Sequence, residues 1–192
     1  FRDVSFRFQD AEEDTLSHLD FVCRRGETTA IIGGTGSGKS TVASLILRFH
    51  DVTDGSIQLN GTDIRDMPQE YLRSHLAYVQ QKAWLFSGTI AENLRYSRPD
   101  ATEEELMHAA DVAQAGDFIR SLPDGLNSFV AQGGTNFSGG QKQRLSIARA
   151  LVKRPELYIF DDSFSALDFK TDAALRRALA AETQDAAVLI VA

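Results

Sequence analysis

The stretch Gly33-Gly34-Thr35-Gly36-Ser37-Gly38-Lys39-Ser40 constrains this chain more than any other. It fits the pattern G-x-x-x-x-G-K-[ST] and lies between a predicted strand, Thr28 to Ile32, and a predicted helix, Lys39 to Phe49. That context makes the pattern a phosphate-binding P-loop. Glycines let successive backbone N–H groups curl around phosphate oxygens, and the helix start adds positive potential. Lys39 is placed to reach β- and γ-phosphates, and the Ser40 hydroxyl to face Mg²⁺, with Thr41 following it into the helix.

The rest of the chain fits such a loop. Val4 to Phe8 alternates like a half-buried strand, and Asp10 to Asp14 reads as a solvated turn. Val42, Leu45, Ile46 and Phe49 share one face of the first helix. Ser56 to Leu59 leads into Asn60-Gly61, the signature of a tight hairpin turn. Leu76 to Val79 is another strand, and from Thr89 to Leu122 the pattern is helical. There Thr102 and Glu105 form a capping box ahead of the face Leu106, Ala109, Ala110 and Ala113. A helix over Gly140 to Lys153 stops before Pro155. Leu157 to Phe160 is fully apolar, the mark of a buried parallel strand. Thr171 to Ala181 is a helix and Ala187 to Val191 a last buried strand. Strands alternating with helices predict an α/β sheet with covered faces.

Composition narrows the function classes. At 192 residues the chain is the size of one domain. Twenty basic residues against 27 acidic ones give a net charge of −7, which argues against a nucleic-acid binder and against a polybasic membrane-surface module. The single cysteine, Cys23, allows no internal disulfide. No apolar run approaches the ~18 residues of a membrane helix. The chain opens on Phe1 and stops inside the apolar run Ala186 to Ala192, so both ends read as cut from a longer protein.

Two further motifs carry chemistry. Asp161 closes the apolar strand, where a P-loop protein keeps the carboxylate that supports Mg²⁺. In Phe137-Ser138-Gly139-Gly140-Gln141, Ser138 is a good N-cap and the glycines bare the next helix start. On local grounds an ordinary capped helix is favoured over a second anion site. Eight of the fourteen glycines fall at 33, 34, 36, 38, 133, 134, 139 and 140, two places where backbone must approach something closely.

Taken in order, these segments resemble ABC ATPases. Gly33 to Ser40 resembles the family's Walker A motif, Phe137 to Gln141 its signature, and Tyr158 to Asp162 its Walker B motif. Tyr78-Val79-Gln80-Gln81 resembles its Q-loop, with Gln81 the functional glutamine, and Ser165 to Asp168 its D-loop. The stretch Lys82 to Ile90 resembles exporter-type transporters in particular. The resemblance covers essentially the whole chain. It implies a P-loop core with a mostly parallel sheet and an antiparallel β subdomain, formed by 1–81 and 136–192, and a helical subdomain over 82–135. It implies ATP and Mg²⁺ as cofactors, with Ser40, Gln81 and Asp161 toward the metal. It implies a head-to-tail pair of domains sandwiching two ATP molecules, in which Ser138, Gly139, Gly140 and Gln141 serve the partner's nucleotide. It further implies a transmembrane domain on the same natural chain, at the cytoplasmic face of the cell membrane, and no nucleic acid.

Departures from the family pattern sharpen the expectation. Phe8 stands where the family stacks a tyrosine on adenine; an aromatic face still stacks, although strand alternation also allows a core role. Asp162 stands where the family has the catalytic glutamate. It is one methylene shorter, which sets its carboxylate back by roughly 1 Å from the attacking water, a misplacement that can cost about 10²-fold. The signature is intact apart from Phe137 in place of leucine. This combination resembles the degenerate-site half of a heterodimeric exporter. The alternatives are a nucleotide-gated clamp without useful hydrolysis and a soluble ABC ATPase. About 100 residues between Lys39 and Ser138 leave no room for the latter's long coiled coil. A plain P-loop kinase would not need Phe137 to Gln141.

Overall fold

The computed structural model describes residues 1–34 and 36–192. At its centre, four parallel strands run in the order β3-β11-β10-β7: β3 is Thr28–Ile31, β7 Leu76–Val79, β10 Leu157–Asp161 and β11 Ala187–Val191. Every residue of β10 is buried, as expected of a parallel strand covered on both faces. Alternation along these strands divides the core into two layers. Ala77, Val79, Tyr158, Phe160 and Val188 point into one, and Leu76, Leu157, Ile159, Leu189 and Val191 into the other.

The second layer is filled from the N-terminal half. Strand β1 (Arg2–Phe6) pairs antiparallel with β2 (Leu16–Leu19) and with β4 (Asp54–Ser56). Their buried Val4, Phe6 and Leu16 meet Val42, Leu45 and Ile46 of helix α1 (Lys39–Ile46). Strands β5 (Gln58–Leu59) and β6 (Thr62–Asp63) form a hairpin. Its turn residues Asn60 and Gly61 have φ of 51° and 86°, the left-handed pair that the Asn-Gly signal predicts. Helix α2 (Gln69–Ser74) leads into β7 and buries Leu72.

The first layer is helical. Strands β8 (Gly88–Thr89) and β9 (Phe129–Val130) pair across helices α3 (Ile90–Leu94), α4 (Glu103–Val112) and α5 (Gly116–Ser121). These pack with α6 (Gly139–Lys153) and α7 (Phe169–Glu182) on the Tyr158–Phe160 face of the sheet. The predicted capping box at Thr102 is present, with Glu105 N–H donating to Thr102 Oγ1 at 3.2 Å.

Several boundaries differ from the sequence expectation. Strand β1 ends at Phe6, because the chain turns there, with Ala11 N–H donating to Phe8 O. Helix α1 ends at Ile46, just before Arg48 takes a φ of 54°. The helical stretch from Thr89 to Leu122 is three helices, cut by Pro99 and by Gln114 at φ 63°. Ser56 to Leu59 is split at the buried Ile57. Among the described residues no helix is long and apolar enough to cross a membrane.

Candidate nucleotide site

In an open parallel sheet the strand C-termini and the loops after them form the natural ligand crevice. Here three of those ends supply the chemistry. After β3 the backbone closes on itself, with Ser37 N–H donating to Gly34 O at 3.2 Å. Gly38 then caps α1 at φ 85° with no side-chain cap, so the first-turn N–H groups keep no side-chain partner. A Cβ at Gly38 would lie 2.9 Å from Thr15 Cγ2; only glycine combines that approach with a left-handed φ. Thr15 in turn donates its N–H to Phe6 O at 2.8 Å, which ties the end of β1 to the loop. The Lys39 ammonium folds over the loop and donates to Gly33 O at 2.9 Å.

The end of β10 meets this loop across 121 residues of sequence. Ser40 Oγ donates to Asp161 Oδ1 at 3.3 Å, and Tyr78 Oη, from β7, donates to Asp161 Oδ2 at 2.9 Å. Asp161 is 7% exposed, and both its partners are neutral hydroxyls. A buried carboxylate held this way lacks charge compensation. A hydroxyl and a carboxylate are also the oxygen donors that a hard divalent cation takes. The glycine cradle, the uncapped helix start and this oxygen pair therefore fit MgATP. Burial and the neighbouring Asp161 charge push the Tyr78 hydroxyl well above its ordinary pKa, so it remains a donor.

The other predicted residues fall around this centre. Asp162 follows directly, half-buried, with its N–H donating to Val191 O at 2.7 Å and Ser165 Oγ donating to its carbonyl. Its φ of 48° is left-handed, a region aspartate tolerates better than longer side chains. Gln81 is exposed beyond β7. Phe8 is 42% exposed and stands edge-on to Phe6 at 4.8 Å and to His50 at 5.5 Å, so it is not a core aromatic. Thr35 lies outside the described residues.

Ser138 and Gln141 bond each other. Gln141 N–H donates to Ser138 Oγ at 3.1 Å, and Ser138 N–H donates to Gln141 Oε1 at 3.0 Å. This reciprocal cap leaves Gly139 and Gly140 bare at the start of α6, where a Cβ on Gly140 would come within 3.3 Å of Ala166 O. Among the described residues no hydrogen bond joins this helix start to the P-loop; the two lie on separate elements. Sequence reasoning passed over Tyr78 as a side chain, and also over Ser163 and Gln143. The buried Ser163 Oγ donates to Val79 O at 2.6 Å, and Gln143 Nε2 donates to Gln81 O.

The model of the ABC transporter family matches residues 16–165. The chain belongs to the ABC transporter family. Its relatives agree. It is 48% identical over 191 residues to an uncharacterized ABC transporter ATP-binding protein of Mycobacterium bovis, covering 98% of this chain and 32% of that protein. It is 42% identical to an ATP-dependent lipid A-core flippase of Vibrio vulnificus, covering 100% and 33%. The solved structure of a bacterial Atm1-family ABC exporter with ATP bound superposes with a TM-score of 0.93 at 38% identity, covering 100% of this chain and 33% of that one. The α/β architecture is thus that of an ABC exporter's ATP-binding domain, and the chain spans about a third of the length of the curated relatives it matches.

Proposed function

We propose that this ABC domain binds MgATP and pairs head to tail with a second such domain to drive export by an attached transmembrane domain, at the cytoplasmic face of the membrane. The observation that carries this reading is the bond between Ser40 and the buried Asp161, at the mouth of an uncapped P-loop helix. Lys39 and the N–H groups from Gly36 to Ser40 would take the phosphates, and Ser40, Gln81 and Asp161 would hold Mg²⁺. Bound Mg²⁺ would neutralise charge on the phosphate oxygens. Phe8 would stack on the adenine. The bare start of α6 at Ser138 to Gly140 would face the nucleotide held by the partner, which accounts for its separation from this chain's own P-loop.

Asp162 makes this chain's own site the slow one. It sits in line after Asp161 with a carboxylate one methylene short of the attacking water, and such a shortfall costs up to about 10²-fold. The intact signature serves a partner site that carries a glutamate, so the working assembly is a heterodimer.

Phosphate release at saturating MgATP, with bound nucleotide counted in parallel, tests this on the full-length protein without a partner. Wild type is expected to hold ATP and release phosphate slowly, and Asp162→Glu to raise turnover by about 10- to 100-fold. An unchanged rate in Asp162→Glu would overturn the slow-site reading, as would wild-type turnover of roughly 1–10 per second.

A further inference from the structure

We propose that Gln143 is a positioning residue that tethers Gln81 to the helix carrying the Ser138 motif, so that the two shift as one body. The inference rests on the ATP-binding reading above and adds a link between the two nucleotide sites of the pair.

Gln143 lies on α6, five residues beyond Ser138, and is 3% exposed. Its Nε2 donates to the backbone carbonyl of Gln81, while its Oε1 is buried with no hydrogen-bond partner among the described residues. A buried amide with one half unsatisfied is costly. A methionine or leucine would fill the same volume without that cost, so the bond to Gln81 is what the amide adds.

The neighbouring backbone is held in the same way. Two residues before Gln81, the carbonyl of Val79 accepts from Ser163 Oγ at 2.6 Å, and Ser163 is fully buried. The main chain on either side of Gln80 is therefore fixed by two different elements: the segment after Asp161, and α6. The side chains of Gln80 and Gln81 stay exposed. They line a cleft of about 840 Å³ whose other walls include Trp84, Gly133, Gln143 and Ala166.

A helix moves as a rigid rod, and one amide couples its second turn to Gln81. Under the proposed reading, Gln81 serves the nucleotide on this chain's P-loop, and Ser138 at the head of the same helix serves the nucleotide on the partner's. The tether then joins half-sites that belong to two different nucleotides. It carries any displacement of α6 at one site to the glutamine at the other.

The test is made on the full-length protein with Gln143→Met, which keeps length and apolar volume and removes the amide. Gln143→Leu carries the same expectation in a different shape. ATP affinity measured in EDTA should stay within about 2-fold of wild type, because the P-loop is untouched, while kcat with MgATP falls by about 10-fold or more. Hydrogen exchange should quicken at the amides of residues 80–84 and stay unchanged along α6. Wild-type kcat with wild-type exchange at 80–84 would overturn the tether. So would a loss of nucleotide affinity parallel to the loss of kcat, since Gln143 would then support the site as a whole. Lys39→Ala is run alongside. If it retains ATP binding, the nucleotide reading itself fails, and the exchange measurement still judges the tether alone.

Discussion

The two side chains that meet Asp161 show how much chemistry a single position gathers. Ser40 and Tyr78 each give it one hydrogen bond; Ser40 does so from the first turn of α1, and Tyr78 from β7, which is held beside β10 by the parallel register Ile159↔Tyr78 and Phe160↔Val79. Ser40 was legible from its motif and Asp161 from the apolar run that it ends. Tyr78 was not, because an aromatic in a buried strand reads as core until the strand order places it beside a carboxylate. Its role follows from orientation: a carboxylate fixed through one oxygen presents the other side to a cation in a defined way. Tyr78→Phe is expected to raise the Mg²⁺ concentration for half-maximal ATP binding by about 10-fold or more. ATP binding measured in EDTA should not change. A magnesium titration followed with a fluorescent ATP analogue reads both, and an unmoved midpoint would leave Tyr78 as packing alone.

Among the elements, those with strong local signals were legible: the P-loop helix, the Asn60-Gly61 hairpin, the Thr102 capping box, the Ser138 cap and the apolar strands β7, β10 and β11. Strand β2 was missed because Leu16-Ser17-His18-Leu19 is short and polar at its centre. It exists through its pairing with β1, and propensity says little about edge strands. Strands β8 and β9, two residues each, carry no periodicity at all. Helix α2 is a turn and a half without a side-chain cap, held by Leu72 and by tertiary packing. Where a cap exists its contribution is measurable. Thr102→Ala removes the acceptor for the Glu105 N–H and should lower stability by about 1 kcal/mol. Urea unfolding should show the shift in midpoint, and nucleotide affinity should stay at the wild-type value. A changed affinity would mean that α4 reports to the site.

For the whole molecule, the strands of the central sheet send alternate side chains into two cores, so neither layer can be lost without exposing the other. Phe160 is fully buried, 5.4 Å from the Phe164 ring and 6.0 Å from Tyr158, and its neighbour Ile159 faces the opposite layer. Phe160→Ala should cost about 3–5 kcal/mol, and the unfolding transition should remain single. Trp84, the chain's one tryptophan, reports the helical layer by fluorescence, and far-ultraviolet dichroism reports both. Two separated midpoints would show that the layers melt independently.

The strand order has a further consequence, for synthesis. Strand β3, which feeds the phosphate loop, has β11 as its only sheet neighbour among the described residues, and β11 in turn separates it from β10. On a ribosome the loop emerges early and Asp161 late, and no strand pairing links β3 to β10 until Ala187 to Val191 arrive. This strand inserts between two strands already made, the kind of non-local closure that folds slowly. A nascent chain stopped short of Ala187 carries every phosphate-loop residue and no assembled pocket. In the proposed reading, nucleotide binding would therefore report that β11 has been threaded between β3 and β10.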